Sequence, residues 1–288
     1  MSFGGPWTEQ KLACVQKYMQ AYATAMKRQP FRLDYVDAFA GSGDLQPPAR
    51  TTDASEALFA AEARDSTEFR AGSARLALQI EPPLDRYLFI EKRAGNVRQL
   101  EALCESHPDR AERCQVIRGD ANQVLAEYCE QDWSVRRALV FLDPFGTEVQ
   151  WSTLQALGAT HAVDLWYLFP LSGVLRMATT DGAIPADWAA RLDSVLGTDE
   201  WRTEFYRPSS QLALFGDDPA ALERTVDTES LRQFVMGRVQ TAFHAVSPDS
   251  RILCNSKNSP LFLLVFAAAN RRGAPLALRI ADHILKKV

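Results

Sequence analysis

An open, mostly parallel α/β sheet with helices on both faces is predicted by three features of the sequence. Apolar strand-like runs alternate with helical segments from the N-terminal region to about residue 170. Four of those runs end in an acid: Tyr35-Val36-Asp37, Leu88-Phe89-Ile90-Glu91, Val116-Ile117-Arg118-Gly119-Asp120 and Val140-Phe141-Leu142-Asp143. Near the C-terminus two apolar runs, Ser250–Cys254 and Leu261–Ala269, flank Asn255-Ser256-Lys257-Asn258-Ser259-Pro260 and read as a hairpin.

The elements follow in order. Leu12, Val15, Met19, Tyr22 and Met26 recur at helical spacing, so Thr8 to Lys27 is a helix with Thr8 as its N-cap. A strand over Arg32–Phe39 leads into a loop containing Gly41 and Gly43. Residues 44–71 read as an inserted loop over the strand ends, with a short helix at Ala54–Arg64. A helix over Ala74–Ile80, capped by Ser73, stops at Pro82-Pro83. Strand Arg86–Glu91 then precedes a helix over Ala94–Ser106, strand Cys114–Gly119 a helix over Ala121–Gln131, and strand Ala138–Asp143 a helix over Trp151–Ala159. A fifth strand, Ala162–Leu168, ends in Phe169-Pro170. Residues 171–248 read as a helical insertion without a good strand, acid-rich between Asp181 and Glu229. A last helix runs over Pro275–Lys287. The whole, residues 1–288, reads as one domain carrying the 44–71 and 171–248 insertions. Five parallel strands followed by an antiparallel hairpin form the Rossmann-like architecture of class I S-adenosylmethionine-dependent methyltransferases.

Composition narrows the function classes. With 47% hydrophobic and 24% charged residues the chain is ordinary for a soluble globular protein. A net charge of −4 opposes tight, sequence-independent binding to duplex nucleic acid, though a local basic groove is compatible with it. Two sequence clusters of cations, Arg93, Arg98, Arg110, Arg113, Arg118 and Arg271, Arg272, Arg279, Lys286, Lys287, read first as solvated helix faces. The five cysteines are scattered and form no C-x-x-C pair, which points to reduced thiols in a cytoplasmic protein rather than a zinc site. The N-terminus lacks the pattern of a signal peptide, and the most apolar run is too short to span a bilayer, so no membrane association is expected. His107, His161, His244 and His283 fit no metal-ligand or nucleophilic spacing.

The strand ends carry the chemistry. In open α/β sheets ligands bind outside the carboxyl ends of the strands. Gly41 and Gly43 would let a nucleoside approach the backbone closely. The G-x-x-G continuation that cradles a pyrophosphate is absent, and Asp37 ahead of the loop would repel one; a carboxylate there suits an amine-bearing ligand such as the methionine end of S-adenosylmethionine. Glu91 is placed to accept from ribose hydroxyls, and Asp120 from an adenine amino group. Each acid has an alternative reading as a helix N-cap. Phe39, Ser42, Lys92 and Ala121 flank these groups and are counted with them as cofactor-binding. Asp143-Pro144-Phe145-Gly146 is the candidate catalytic motif: the Asp143 carboxylate and Pro144 carbonyl would hold an exocyclic amine, and Phe145 would stack on a flat base. Trp166, Tyr167 and Phe169 either wall a base pocket or belong to the core.

The assembled motifs resemble the three-Cys-motif partner (TcmP) family. The resemblance runs through Trp7-Thr8, Lys11-Leu12, Tyr35 to Gly43, Gly72-Ser73-Ala74, Phe89-Ile90-Glu91-Lys92, Phe141 to Gly146 and Pro260 to Ala268. It implies a methyltransferase-like fold and a partner: a three-Cys-motif protein, a candidate iron–sulfur binder. Asp143-Pro144-Phe145-Gly146 also resembles the motif of tRNA guanine-N2 methyltransferases and lacks the second proline of the adenine-N6 form D-P-P-Y. The expectation is a methyltransferase acting on an exocyclic amine of RNA or DNA. The alternatives are a non-catalytic scaffold for the partner, docked through the acidic 181–229 segment, and a nicotinamide-dependent oxidoreductase.

Overall fold

The strands β1 (Arg32–Asp37), β2 (Arg86–Glu91), β3 (Cys114–Arg118), β4 (Arg136–Leu142) and β5 (Val163–Phe169) lie parallel in the order β3-β2-β1-β4-β5. The computed structural model describes residues 6–41, 72–208, 222–255 and 257–287. Strand β10 (Pro260–Ala268) runs antiparallel to β5, and its other side pairs with β8 (Ala245–Val246) and β9 (Arg251–Cys254). This order, with its terminal antiparallel hairpin, is that of the class I S-adenosylmethionine-dependent methyltransferase fold, as the sequence predicts. The β9–β10 turn is held by Asn255, whose Oδ1 accepts from the N–H groups of Lys257 and Ser259, each at 2.9 Å.

Both faces of the sheet are covered, which is why the central strands read as unbroken apolar runs: every residue of β5 is buried. One face packs on α1 (Pro6–Met26), a helical run at 72–77, α2 (Ala94–Glu105) and the last helix, α10 (Ala274–Leu285). A short α3 (Pro108–Ala111) links α2 to β3. The other face packs on α4 (Ala121–Cys129), α5 (Trp151–Ala159), α6 (Leu171–Met177), α7 (Ala186–Leu196) and α9 (Thr228–Ala242), with α8 (Trp201–Glu204) between the last two. Helices α5 and α9 meet closely at Gly158, where a Cβ would lie 1.9 Å from the Ala242 carbonyl oxygen.

One expectation is corrected. The 171–248 insertion is not free of strands: β6 (Tyr206–Pro208) and β7 (Leu222–Arg224) form a two-stranded antiparallel sheet, and β8 joins the main sheet. The Arg224 guanidinium ties this small sheet down by donating to the carbonyls of Leu175 and Ala178. Of the two readings of Trp166, Tyr167 and Phe169 the core one holds, since they are 0, 1 and 1% exposed. Trp166 packs in a cluster with Tyr18 and Phe266, at ring-centroid distances of 5.5 and 5.1 Å. The expected loop at 44–71, with its helix at 54–64, lies outside the described residues.

Ionic groups inside the sheet mark its two ends. At the amino end, fully buried Asp34 on β1 accepts from Arg86, from Arg136 at 3.2 Å and from the Tyr128 hydroxyl at 2.9 Å. A buried carboxylate with this many donors is compensated and structural. No helix among the described residues is long and apolar enough to cross a membrane.

Candidate functional site

The register of the sheet fixes where the acids fall. Asp37 is opposite Phe89 on β2 and Phe141 on β4. Glu91 and Asp143 therefore lie two residues beyond the level of Asp37 and on the same face, because side chains alternate with period two. Two residues is about 7 Å of strand. Asp37 thus lies at the floor of an arrangement whose sides, over β2 and β4, carry Glu91 and Asp143. All three are buried.

Tyr35 lies on the inner side of Asp37. It precedes Asp37 by two residues on the same face and is fully buried. Its phenol is pushed well above the ordinary range, chiefly by burial and then by the carboxylates of Asp37 and Asp143. Tyr35 stays protonated. Ser73, in the 72–77 helical run, donates its hydroxyl to Asp37 Oδ2 at 2.6 Å. The expected role of Ser73 as a helix cap gives way to this contact with the acid. Asp37 Oδ1 faces the Phe39 N–H at 3.4 Å. Beyond Phe39, Gly41 adopts a positive φ of 65°, which turns the chain away from β1 in a conformation a Cβ would strain. Ser42 and Gly43 lie outside the described residues.

The other two acids each commit one oxygen to the fold. Glu91 Oε1 accepts from the Arg93 N–H at 2.7 Å; Oε2 has no partner among the described residues. Asp120 is the N-cap of α4: its Oδ1 accepts from the Asn122 N–H at 3.0 Å and the Gln123 N–H at 3.4 Å. The two sequence readings of Asp120 are compatible, since Oδ2 has no partner among the described residues and the side chain is exposed. Ala121 turns its methyl into the core, so only its backbone is left to meet a ligand. Phe39 is half-buried against the same core cluster, and Lys92 is exposed at the strand edge.

The turn after β4 is built tightly. Pro144 is buried, Gly146 has φ of 58°, and the Phe145 N–H donates to Glu148 Oε2 at 3.2 Å. The Arg93 guanidinium lies over the Phe145 ring, 5.5 Å from its centroid. A side chain from the β2 end thereby reaches the β4 end across the carboxyl terminus of β1. Phe145 is half-buried; its ring carries the Arg93 guanidinium where a base was expected.

Asn122, which the sequence places only within the helix after β3, holds this turn to the β3–α4 corner. Its Nδ2 donates to the Glu148 carbonyl at 3.0 Å, and its Oδ1 accepts from the Gln150 N–H at 2.9 Å and the Thr153 hydroxyl at 2.8 Å. Gln150, the N-cap residue of α5, provides no side-chain cap of its own. Asn122 caps α5 from outside and fixes the exit of the Asp143–Gly146 turn relative to Asp120. A cleft of about 290 Å³ opens beside these residues, lined by Asp120, Asn122, Gln123, Gln150 and Thr153.

Comparison with known proteins adds likenesses at the level of the fold. A protein from Legionella pneumophila is similar over 99% of this chain and 93% of its own, with 12% identity and a TM-score of 0.49. Spermidine synthase from Thermotoga maritima matches over 92% of this chain and 61% of its own, with 9% identity and a TM-score of 0.41. A conserved hypothetical protein from Streptococcus pyogenes matches over 53% and 77%, with 18% identity and a TM-score of 0.32. No protein-family model matches the chain, and no curated protein matches it. What identifies the fold is the strand order β3-β2-β1-β4-β5 closed by an antiparallel hairpin: the chain has a class I S-adenosylmethionine-dependent methyltransferase-like fold.

Proposed function

We propose that this chain binds S-adenosylmethionine and transfers its methyl group to an exocyclic amine of a nucleic-acid base, working with a three-Cys-motif protein. The observation that carries the reading is the register of the strand-end acids: Glu91 and Asp143 each stand two residues beyond the level of Asp37, on the strands either side of it and on the same face. The donor set fits the cofactor. Asp37, held by Ser73, would receive the amino end of its methionine moiety, the Gly41 turn leaves the backbone close, Glu91 Oε2 would accept from the ribose, and Asp120 Oδ2 from the adenine amine. When bound, S-adenosylmethionine supplies an already activated methyl group, so the protein's part is largely positional.

Asp143 and the Pro144 carbonyl would accept hydrogen bonds from the target amine and aim its lone pair. The Phe145 ring would meet the base once Arg93 moves aside or turns. Asn122 keeps that turn at a fixed distance from the adenine end. The string of motifs that resembles TcmP proteins supports the partner, to which any iron–sulfur cluster would belong.

Titration calorimetry with S-adenosylmethionine and S-adenosylhomocysteine tests the cofactor, with Asp37→Ala expected to abolish the heat. Absence of heat with both nucleosides in the unaltered chain would defeat the reading. Radiolabelled methyl transfer to RNA, DNA and protein from cells lacking this chain tests the substrate class. Cofactor binding and copurification of the partner with no transfer to any of these would favour the scaffold.

A further inference from the structure

We propose that the carboxyl edge of β2 and β3 is a phosphate-binding rim, along which Lys92, Arg93, Arg98 and Arg118 lead a single-stranded polynucleotide to the Asp143–Gly146 turn. The inference rests on reading that turn and the strand-end acids as a base-methylating site and adds where the strand lies. Five arginines that are neighbours in sequence separate in space. Arg110 donates to the carbonyls of Leu78 and Ile80 and pairs with Glu81, and Arg113 donates to the Leu84 carbonyl, so both are spent on the fold. The other three go to the site end. Arg118 is the last residue of β3 and lies opposite Glu91 in the register. Lys92 and Arg93 follow Glu91 directly, and Arg98 is the fifth residue of α2, which starts from the same edge.

All four are exposed, and Lys92, Arg98 and Arg118 have neither hydrogen bond nor ion pair among the described residues. Arg93 joins the rim to the reaction turn, since its guanidinium lies over Phe145. Among the described residues the exposed acids Asp120 and Glu148 share this edge, but Asp120 Oδ1 is engaged in capping α4 and Glu148 Oε2 accepts from the Phe145 N–H. A row of exposed cations ending on an aromatic ring is the arrangement that holds a strand by its phosphates and a base by its face. An open single strand fits better than a duplex, because the acids that would surround the target are buried. The remaining cation cluster lies elsewhere. Arg271 and Arg272 follow Ala269, whose N–H donates to the Val163 carbonyl at the start of β5, and so sit at the opposite edge of the sheet. Lys286 pairs with Asp249.

The two arginine pairs provide a matched test, since each double alanine variant removes two exposed positive charges. Fluorescence anisotropy would follow the full chain binding fluorescein-labelled mixed-sequence 20-mers of single-stranded RNA, single-stranded DNA and duplex DNA over a range of salt. Arg98→Ala with Arg118→Ala should weaken single-strand binding by at least about fivefold and lower the salt slope by about 1.4, at about 0.7 for each phosphate no longer neutralised. Arg271→Ala with Arg272→Ala should leave binding unchanged. The RNA and DNA arms identify which polynucleotide the rim prefers. Equal weakening in the two variants, no weakening in the first, no single-strand binding by the unaltered chain, or preference for duplex would overturn the rim. Calorimetry with S-adenosylhomocysteine separates the two readings. A chain that binds RNA through Arg98 and Arg118 but takes no cofactor keeps the rim and refutes the methyltransferase. A chain that binds cofactor with RNA affinity indifferent to Arg98 and Arg118 refutes the rim alone.

Discussion

Asp164, on β5, is a carboxylate placed where its charge costs stability, and replacing it makes that cost measurable. It is 9% exposed and accepts from the Tyr18 hydroxyl at 2.8 Å, tying α1 to the sheet. Burial pushes its carboxyl up to about 6, against an ordinary 3.8, although the Tyr18 hydrogen bond and the Arg137 charge both oppose the rise. The sign follows from which state holds the proton. The folded chain keeps the proton over a range where the unfolded chain has lost it, so Asp164 contributes most below the ordinary carboxylate value. That contribution is lost as pH rises through about 6. The gap converts to roughly 3 kcal/mol in full, of which about 2 kcal/mol falls between pH of about 4 and about 7. Asp164→Asn keeps an acceptor for Tyr18 and has nothing to titrate. Urea unfolding of both proteins, followed by the fluorescence of Trp166 and its fellow tryptophans, reads the difference directly, because every other carboxylate cancels. Asp164→Asn should gain on the unaltered chain by about 2 kcal/mol as pH rises from about 4 to about 7. A stability difference that stays constant over that range would refute the argument.

Other expectations concern the site and its supports. Removing the Ser73 hydroxyl with Ser73→Ala leaves Asp37 Oδ2 without its 2.6 Å donor and should weaken S-adenosylhomocysteine binding roughly tenfold, as expected for a hydrogen bond to a charged group; calorimetry checks this. Asn122→Ala deprives Glu148, Gln150 and Thr153 of partners at once. It should cost about 1–3 kcal/mol, with faster hydrogen exchange at the Gln150 amide than at the amides of β1. Gly158→Ala forces a methyl into the Ala242 carbonyl of α9; a loss of at least about 2 kcal/mol in thermal or urea unfolding is expected. An unchanged melting curve would show that α5 and α9 can part without cost.

What the sequence discloses about this site is set by how far away each partner lies. The strand-end acids are legible because strand and acid are neighbours in the chain, and a parallel register carries them to one edge whatever the loops between them do. Tyr35, two residues before Asp37, is legible in principle by the same period of two, but inside an apolar strand its hydroxyl attracts no notice. Ser73 and Asn122 could not be assigned so. Ser73 meets an acid 36 residues before it, and Asn122 meets groups 26 to 31 residues after it. Both stand where a local helix cap explains a polar residue equally well. The aromatic run in β5 stayed open between two readings for the opposite reason: a strand buried on both faces has no solvent side, so Trp166 and Tyr167 carry no facing information. The three-residue strands β6 and β7 were invisible because Tyr206-Arg207-Pro208 and Leu222-Glu223-Arg224 have too few apolar positions to set a period. The arginines obey the same rule. Their density in the sequence says nothing about which are consumed, and only the fold separates Arg110 and Arg113, bound to carbonyls, from Arg98 and Arg118, left facing water beside the cleft.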